Sequence, residues 1–509
     1  MSTTPASHEE TKRTDTALPA YRTRICSRGY VVVKSRACPD ELRRCRKELM
    51  IKPFVLPEYA ASVKPYPAFG ESPLKLYMPK HYGLRNFGEP ETVDPYRNRS
   101  IALDFNGALR PTQREACSAF LETCKRGAYV QRSRGGVISL QCGGGKTVCA
   151  LYIVAQLKKK TLIVVHKEFL MHQWNERIRT FLPDARVGVI QQKKTNVHNK
   201  DIVIAMLQSI AMRDYPKEMF AEFGLAVFDE CHHLSAEVFS RCLPKLGCQY
   251  TLGLSATPQR TDGLSKIFYW WLGPCVFSMT KNQTANVRAY QLNLYHPGYA
   301  KEEITRFGKI CLARMINNVC AWAPRTRWIV ALVRHLTRSH PKRQVLVLSS
   351  RRAHLQDLYD QLDSPETVGF YVGGMKQAAL KESESKRVVL GTYAMSSEGL
   401  DIKSLNTLVM ASPMSNVVQS VGRILRAAHP DCPPEIYDVC DCFSTFKKQA
   451  AKRARFYRKE TFATFACEIP ENMDLETATT VKSTSVPTSS KRGGRRKKKD
   501  VPEECLLVV

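Results

Sequence analysis

Between Ile138 and Gln156 the chain reads ISLQCGGGKTVCALYIVAQ, and its centre, Gly143-Gly144-Gly145-Lys146-Thr147, holds the residue types that grip a nucleotide phosphate. Glycines let backbone N–H groups turn toward an anion, and the N-terminus of a following helix adds positive potential. Lys146 would reach the β/γ phosphates and Thr147 would hold Mg²⁺. The strict phosphate-loop pattern asks for a further glycine, separated by four residues from the Gly-Lys-Thr core, where this sequence has Leu140. The surroundings fit better than the pattern: an apolar run from Val137 to Leu140 enters the glycines, and an apolar segment of helical length leaves them. A solvent loop is the alternative. Further along, LAVFDECHHLS ends an apolar run in Asp229 and Glu230. Carboxylates at the carboxyl edge of a parallel sheet lie where open α/β folds bind ligands. Asp229 there suits Mg²⁺ through its water shell, and Glu230 suits the orientation and deprotonation of a water that attacks a γ-phosphate. A helix cap after a core strand is the bland reading of the pair.

These residues need a sheet to bring them together. From Leu109 to about Phe277 the sequence alternates apolar runs (GGVISL, TLIVVH, DIVIAM, LAVFDE, TLGLSAT) with helical segments. Continuous apolar strands separated by helices imply an α/β fold, a parallel sheet covered on both faces. A second series (QVLVLSS, RVVLGT, NTLVMAS, EIYDVCD) follows a less regular connector. Ahead of both, GYVVVKS reads as a strand, CPDELRRCRKELMI as a helix opened by Pro39-Asp40-Glu41, and the next residues as proline-punctuated loops. The expected organisation is a disordered N-terminus (1–25), an accessory module (26–104), a first α/β domain (105–280), a connector (281–320), a second α/β domain (321–470) and a disordered basic tail (471–509). The tail carries seven Lys or Arg among residues 491 to 499, a block that either grips polyanions or directs nuclear import.

Composition narrows the function classes. The chain has 509 residues, room for about three domains, and 43% hydrophobic residues to build their cores. Lys and Arg number 77 against 47 Asp and Glu, a formal +30, which favours a polyanionic partner, with nucleic acid leading. The 18 cysteines include no Cys-x-x-Cys pair, so zinc ribbons and thioredoxin-like sites are unsupported. Several cysteines sit in apolar segments, as buried free thiols do in a reducing compartment, so an intracellular protein is expected. No apolar run has signal-peptide or membrane-span character, and Cys505 stands one residue too early for prenylation.

Taken in order, the motifs resemble those of superfamily 2 nucleic-acid helicases and translocases over residues 105 to 460. The second motif of that family, Asp-Glu-x-His, is here Asp229-Glu230-Cys231-His232. LRPTQREA resembles the adenine-reading element, implying that Gln113 reads the base. LQCGGGKT has the Leu-x-Cys-Gly-x-Gly-Lys-Thr form of the xeroderma pigmentosum B branch, which accounts for Leu140. His166, Lys167, Gln208 and Ser209 fall in motifs implied to touch the nucleic-acid backbone, and Ser255-Ala256-Thr257 in the motif that couples hydrolysis to strand movement. Arg260-Thr261-Asp262 replaces that branch's Arg-Glu-Asp. Thr392, Gly399 and Asp401 match motif V, with Asp401 implied on the nucleotide side, and VVQSVGRILRAA supplies Gln419, Gly422, Arg423 and Arg426 of motif VI. Helical spacing puts Gln419, Arg423 and Arg426 on one face, implied to meet the triphosphate.

The resemblance therefore implies two tandem RecA-like domains, ATP and Mg²⁺ as cofactors, a monomer, and an ATP-driven helicase or translocase. DNA is the favoured track, with movement tending from 3′ to 5′. The stretch LPEYAASVKPYPAFGESPLKLYMPKHYG is similar to helicases of large DNA viruses, including the poxvirus transcript-release type. This implies a role in viral transcription, transcript release, replication or repair, transcription machinery as partner, and a place in the host nucleus, viral factory or virion. An RNA helicase acting on transcripts and a non-enzymatic basic scaffold are the alternatives. A nuclease fusion lacks the carboxylate cluster it would need.

Overall fold

The apolar runs form strands buried on both faces, as their lack of polar alternation requires. The computed structural model describes residues 21–52, 64–141, 143–231, 236–256, 265–279, 286–364, 366–398, 400, 402–427, 429–471 and 479–483. The chain divides into two units, residues 1–140 with 145–279, and 141–144 with 280–509. In the first, an eight-stranded sheet runs in the order Lys194–Asn196, Val187–Gln191, Ile202–Met206, Thr161–Val165, Leu225–Phe228, Tyr250–Ser255, Gly135–Ser139, Cys275–Ser278. Neighbours are parallel except at the Lys194–Asn196 edge. Successive residues of one strand feed opposite cores: Leu162, Val164, Ala226 and Phe228 enter one, Ile163, Val165, Leu225 and Val227 the other. All five strands expected here from sequence are present.

The accessory segment is not a free-standing module. Its five-stranded sheet (Gly70–Glu71, Lys75–Met78, Gly29–Val33, Thr23–Cys26, Thr92–Val93) sends Tyr30, Val32, Leu76 and Met78 into the core that also holds Val137, Phe228 and Trp271. The helix Lys80–Phe87 lies against Tyr30 so closely that a Cβ on Gly83 would stand 2.1 Å from the ring. The strand Thr23–Cys26 also begins inside the segment expected to be disordered (1–25), because its residues pair with Gly29–Val33.

The second unit repeats the architecture. Its eight strands run Val368–Tyr371, Val388–Thr392, Val345–Ser349, Thr407–Met410, Glu435–Asp441, Arg288–Leu294, Ala463–Glu468, Thr479–Ser483, all parallel except the last pair. Two of them correct the expected boundaries. Arg288–Leu294 lies in the expected connector (281–320), yet it pairs along its length with Glu435–Asp441 and Ala463–Glu468. Thr479–Ser483 lies in the expected tail (471–509) and extends the sheet edge. Among the described residues, buried ion pairs brace this unit: Arg325 with Asp441 at 2.9 Å, Arg453 with Asp438 at 2.8 Å, and Arg343 with Glu435 at 2.5 Å. Among the described residues, no helix is long and apolar enough to cross a membrane. The basic block at 491–499 lies outside the described residues.

Candidate active site

The glycine loop joins the Gly135–Ser139 strand to the helix Lys146–Leu157. Gly143 and Gly145 have φ of 79° and 82°, a region where a side chain is strained, so two of the three glycines are required by the turn itself. A Cβ at Gly145 would lie 2.1 Å from Gln113 Nε2, so the Gln113 amide would have to shift to admit one. The backbone of Gly144 closes the turn on the Gln141 carbonyl at 3.0 Å, and Lys146 and Thr147 open the helix. An N-terminal turn of this kind directs backbone N–H groups at an anion. Gln113 is buried under the loop, and its Oε1 accepts the Arg110 N–H at 2.9 Å.

Asp229 and Glu230 stand past the end of the Leu225–Phe228 strand, which lies one strand away from Gly135–Ser139, across Tyr250–Ser255. Lys146 Nζ donates to Glu230 Oε1 at 2.7 Å, with the two side chains only 11% and 16% exposed. The phosphate-gripping lysine and the candidate base, 84 positions apart, thus meet in one place. Asp229 is buried, and both its oxygens are held: Oδ1 accepts the Glu230 N–H at 3.0 Å, and Oδ2 accepts the Trp174 indole N–H at 2.8 Å. Burial, reinforced by the Glu230 charge, pushes the Asp229 carboxyl up to about 6, against the opposing pull of Lys146 and of the Trp174 hydrogen bond. Two carboxylates against one lysine leave excess negative charge, and the donors Asp229 and Thr147 are hard oxygens; this set fits Mg²⁺.

Trp174 and the backbone of Glu230 escaped the sequence reading. Trp174 shares a buried helical face with Leu170, Met171 and Ile178, and a buried tryptophan needs an acceptor for its N–H. That need was the available signal, although it does not say which acceptor. Glu230 has φ of 45°, a left-handed backbone that costs a non-glycine residue roughly 1–3 kcal/mol and recurs at functional sites.

The candidates for strand contact divide. Gln208, exposed, donates from Nε2 to the His166 carbonyl at 3.0 Å, so the His166-Lys167 turn and the start of the Leu207–Met212 helix adjoin. Ser209 differs from expectation: it is buried, and its hydroxyl accepts the Gln192 N–H at 2.8 Å, so it braces a neighbouring turn. Ser255 is fully buried at the end of its strand and accepts the Leu140 N–H at 3.1 Å, which ties its motif to the base of the glycine loop, and Ala256 follows half-buried. Thr257, His232, Gly399 and Asp401 lie outside the described residues.

In the second unit Thr392 ends its strand beside Ser349. Gln419 and Arg423 share the helix Val418–Ile424, but Arg426 lies beyond it, because the Leu425 backbone (φ −107°, ψ 14°) leaves the helical region. The expected common face of three residues is therefore a face of two. Arg423 is buried and donates to the Leu400 carbonyl at 2.9 Å, which assigns it a part in holding its own domain together.

Comparison with known proteins places the chain in a family. Residues 106–260 match the family described as type III restriction enzyme, res subunit. The chain is 34% identical over 457 residues to a candidate ATP-dependent RNA helicase of Acanthamoeba polyphaga mimivirus, covering 87% of this chain and 86% of that one. It is 26% identical over 358 residues to a candidate ATP-dependent RNA helicase of African swine fever virus, covering 65% and 70%. Over 201 residues it is 33% identical to the DNA 3'-5' translocase XPB2 of Sulfurisphaera tokodaii, covering 39% and 42%. Among solved structures, a fragment of a candidate HsdR subunit of a type I restriction enzyme from Vibrio vulnificus matches with a TM-score of 0.52 at 17% identity, covering 73% of this chain and 70% of that one.

Proposed function

We propose a DNA track for this protein, which belongs to the superfamily 2 helicases related to those of large DNA viruses and is an ATP-hydrolysing, nucleic-acid-binding motor. The observation that carries the DNA reading is the local likeness, at 33% identity, to a protein named as a DNA 3'-5' translocase. The motif Asp229-Glu230-Cys231-His232 supports it. A second reading, RNA, is favoured by the names of the viral relatives at 34% and 26% identity.

The chemistry follows from the first unit. Lys146 Nζ donates to Glu230 Oε1 at 2.7 Å. An incoming γ-phosphate offers Lys146 a stronger partner, and its departure leaves Glu230 able to orient a water and take its proton. Asp229, fixed by Trp174 and the Glu230 N–H, and Thr147 would hold Mg²⁺, which supplies neutralisation of charge on the phosphate oxygens. Contacts to a strand go mostly to phosphate and sugar, so binding tolerates sequence and falls steeply with salt. We place this motor in viral transcription, transcript release, replication or repair, within the host nucleus, viral factory or virion.

Displacement of streptavidin from biotin placed at the 3′ or 5′ end of DNA and RNA oligonucleotides tests track and direction together. ATP-dependent displacement from the 5′ end of DNA, toward which a 3′-to-5′ motor runs, is expected. Displacement from RNA alone would overturn the DNA reading in favour of the second.

A further inference from the structure

We infer that the outer face of the helix Ser444–Lys459, in the second unit, is an additional contact for the phosphodiester backbone of the nucleic acid. Its sequence, STFKKQAAKRARFYRK, contains no acidic residue. The inner face is anchored by Phe446, buried in a small apolar cluster, by Arg453, ion-paired to Asp438, and by Tyr457, whose hydroxyl donates to Asp438 at 3.1 Å. These anchors recur at i, i+7 and i+11, so they fix the helix about its own axis and decide what faces outward.

What faces outward is Lys447, Lys448, Lys452, Arg455, Arg458 and Lys459, all exposed. Among the described residues no carboxylate pairs with Lys447, Lys448, Lys452, Arg455 or Arg458, although the same unit pairs Lys342, Arg343 and Lys386 with acidic partners. Lys448–Lys452 and Arg455–Lys459 are like charges at i,i+4, and Lys452–Arg455 and Arg455–Arg458 at i,i+3. Each such pair weakens an isolated helix by roughly 0.2–0.5 kcal/mol. A surface kept only for solubility would mix signs and avoid that penalty. From Lys447 to Lys459 the helix rises about 18 Å at 1.5 Å per residue. One strand of a duplex presents a phosphate about every 3.4 Å along its axis, so that length spans roughly five phosphates. Six cations on a rigid rod match such a row in both charge and length.

The inference rests on the helicase reading for its ligand and adds a surface outside every motif described above. It is tested with the full chain carrying Lys448→Gln, Lys452→Gln, Arg455→Gln and Lys459→Gln together, glutamine keeping helix propensity. Affinity for a fluorescent single-stranded DNA and for its duplex is measured against salt for the variant and the parent. The variant is expected to bind about tenfold more weakly at moderate salt, with a log–log salt slope shallower by about 3, close to four lost contacts at 0.7–0.9 each. ATPase without nucleic acid should be unchanged, and the melting temperature unchanged or higher, since like-charge neighbours have been removed. A parent with a steep slope and a variant with the same slope would overturn the inference while leaving the helicase reading intact, and would turn the face toward an acidic protein. A parent that binds neither DNA would overturn the DNA reading and, with it, this inference for DNA.

Discussion

Glu230→Gln should abolish hydrolysis and at the same time tighten nucleotide binding, because Lys146 serves two partners in turn. In the structure its ammonium is held by Glu230 Oε1 at 2.7 Å, with both side chains less than a fifth exposed. A triphosphate that engages the ammonium competes with that bond for the lysine's charge. At 2.7 Å and an effective dielectric near 20 the bare attraction is about 6 kcal/mol, an upper bound that rehydration and the competing Asp229 charge reduce. Measured couplings between contacting groups fall at roughly 0.5–3 kcal/mol, so about 1.5 kcal/mol is a reasonable expectation, near tenfold in Kd. Removing the Glu230 charge also removes its repulsion of the γ-phosphate, which acts in the same direction. The assay is equilibrium binding of a fluorescent, non-hydrolysable ATP analogue to the parent, Glu230→Gln, Lys146→Met and the double variant. About tenfold tighter binding by Glu230→Gln, largely lost when Lys146 is already methionine, is the expected cycle. Unchanged or weaker binding by Glu230→Gln, or equal tightening with and without Lys146, would refute the competition.

Three further outcomes follow from the geometry. Trp174→Phe keeps the ring but removes the donor to Asp229 Oδ2; leaving a buried acceptor short costs roughly 1–3 kcal/mol, so turnover should fall by about tenfold or more while KM for ATP changes little, as steady-state kinetics would show. Gly145→Ala should weaken nucleotide binding by about tenfold or more, measured by the same fluorescent analogue, because the new Cβ strains a φ of 82° at roughly 1–3 kcal/mol and displaces the Gln113 amide. His354 is buried in the second unit against Ser349, and burial, with a smaller contribution from the Arg325 charge, depresses its ring to about 3. A depressed histidine contributes stability that is complete above its unfolded value of 6.5 and lost as pH falls toward about 3. Across that window its part of the stability should fall by about 1.4 kcal/mol per pH unit, and His354→Gln should flatten that part of a melting curve measured against pH.

Much of the site was legible before the fold. The glycines, Lys146, Asp229 and Glu230 announce themselves because residue type, apolar strand and position at a strand end all agree. The inner strands announce themselves because burial on both faces leaves unbroken apolar runs. Arg288–Leu294 did not, since RAYQLNL carries Arg288, Gln291 and Asn293 along a strand that is nonetheless paired on both sides. The accessory segment reads as separate because its own strands are short, and only the shared core of Tyr30, Met78 and Phe228 shows that it covers one face of the first sheet. The Trp174–Asp229 bond and the left-handed Glu230 depend on how helix and strand end meet, which residue type does not encode. Arg423 carried the right motif spacing but is drawn inward to the Leu400 carbonyl, a main-chain partner inside motif V that residue type does not encode.

The central claim, that a phosphate loop centred on Lys146 drives movement on DNA, is tested most directly by the ATPase rate of the purified protein alone and with single-stranded DNA, duplex DNA and single-stranded RNA, beside Lys146→Ala. The expected result is hydrolysis stimulated by DNA more than by RNA and lost in Lys146→Ala. Stimulation by RNA alone would contradict the DNA track, and activity that survives Lys146→Ala would contradict the site itself.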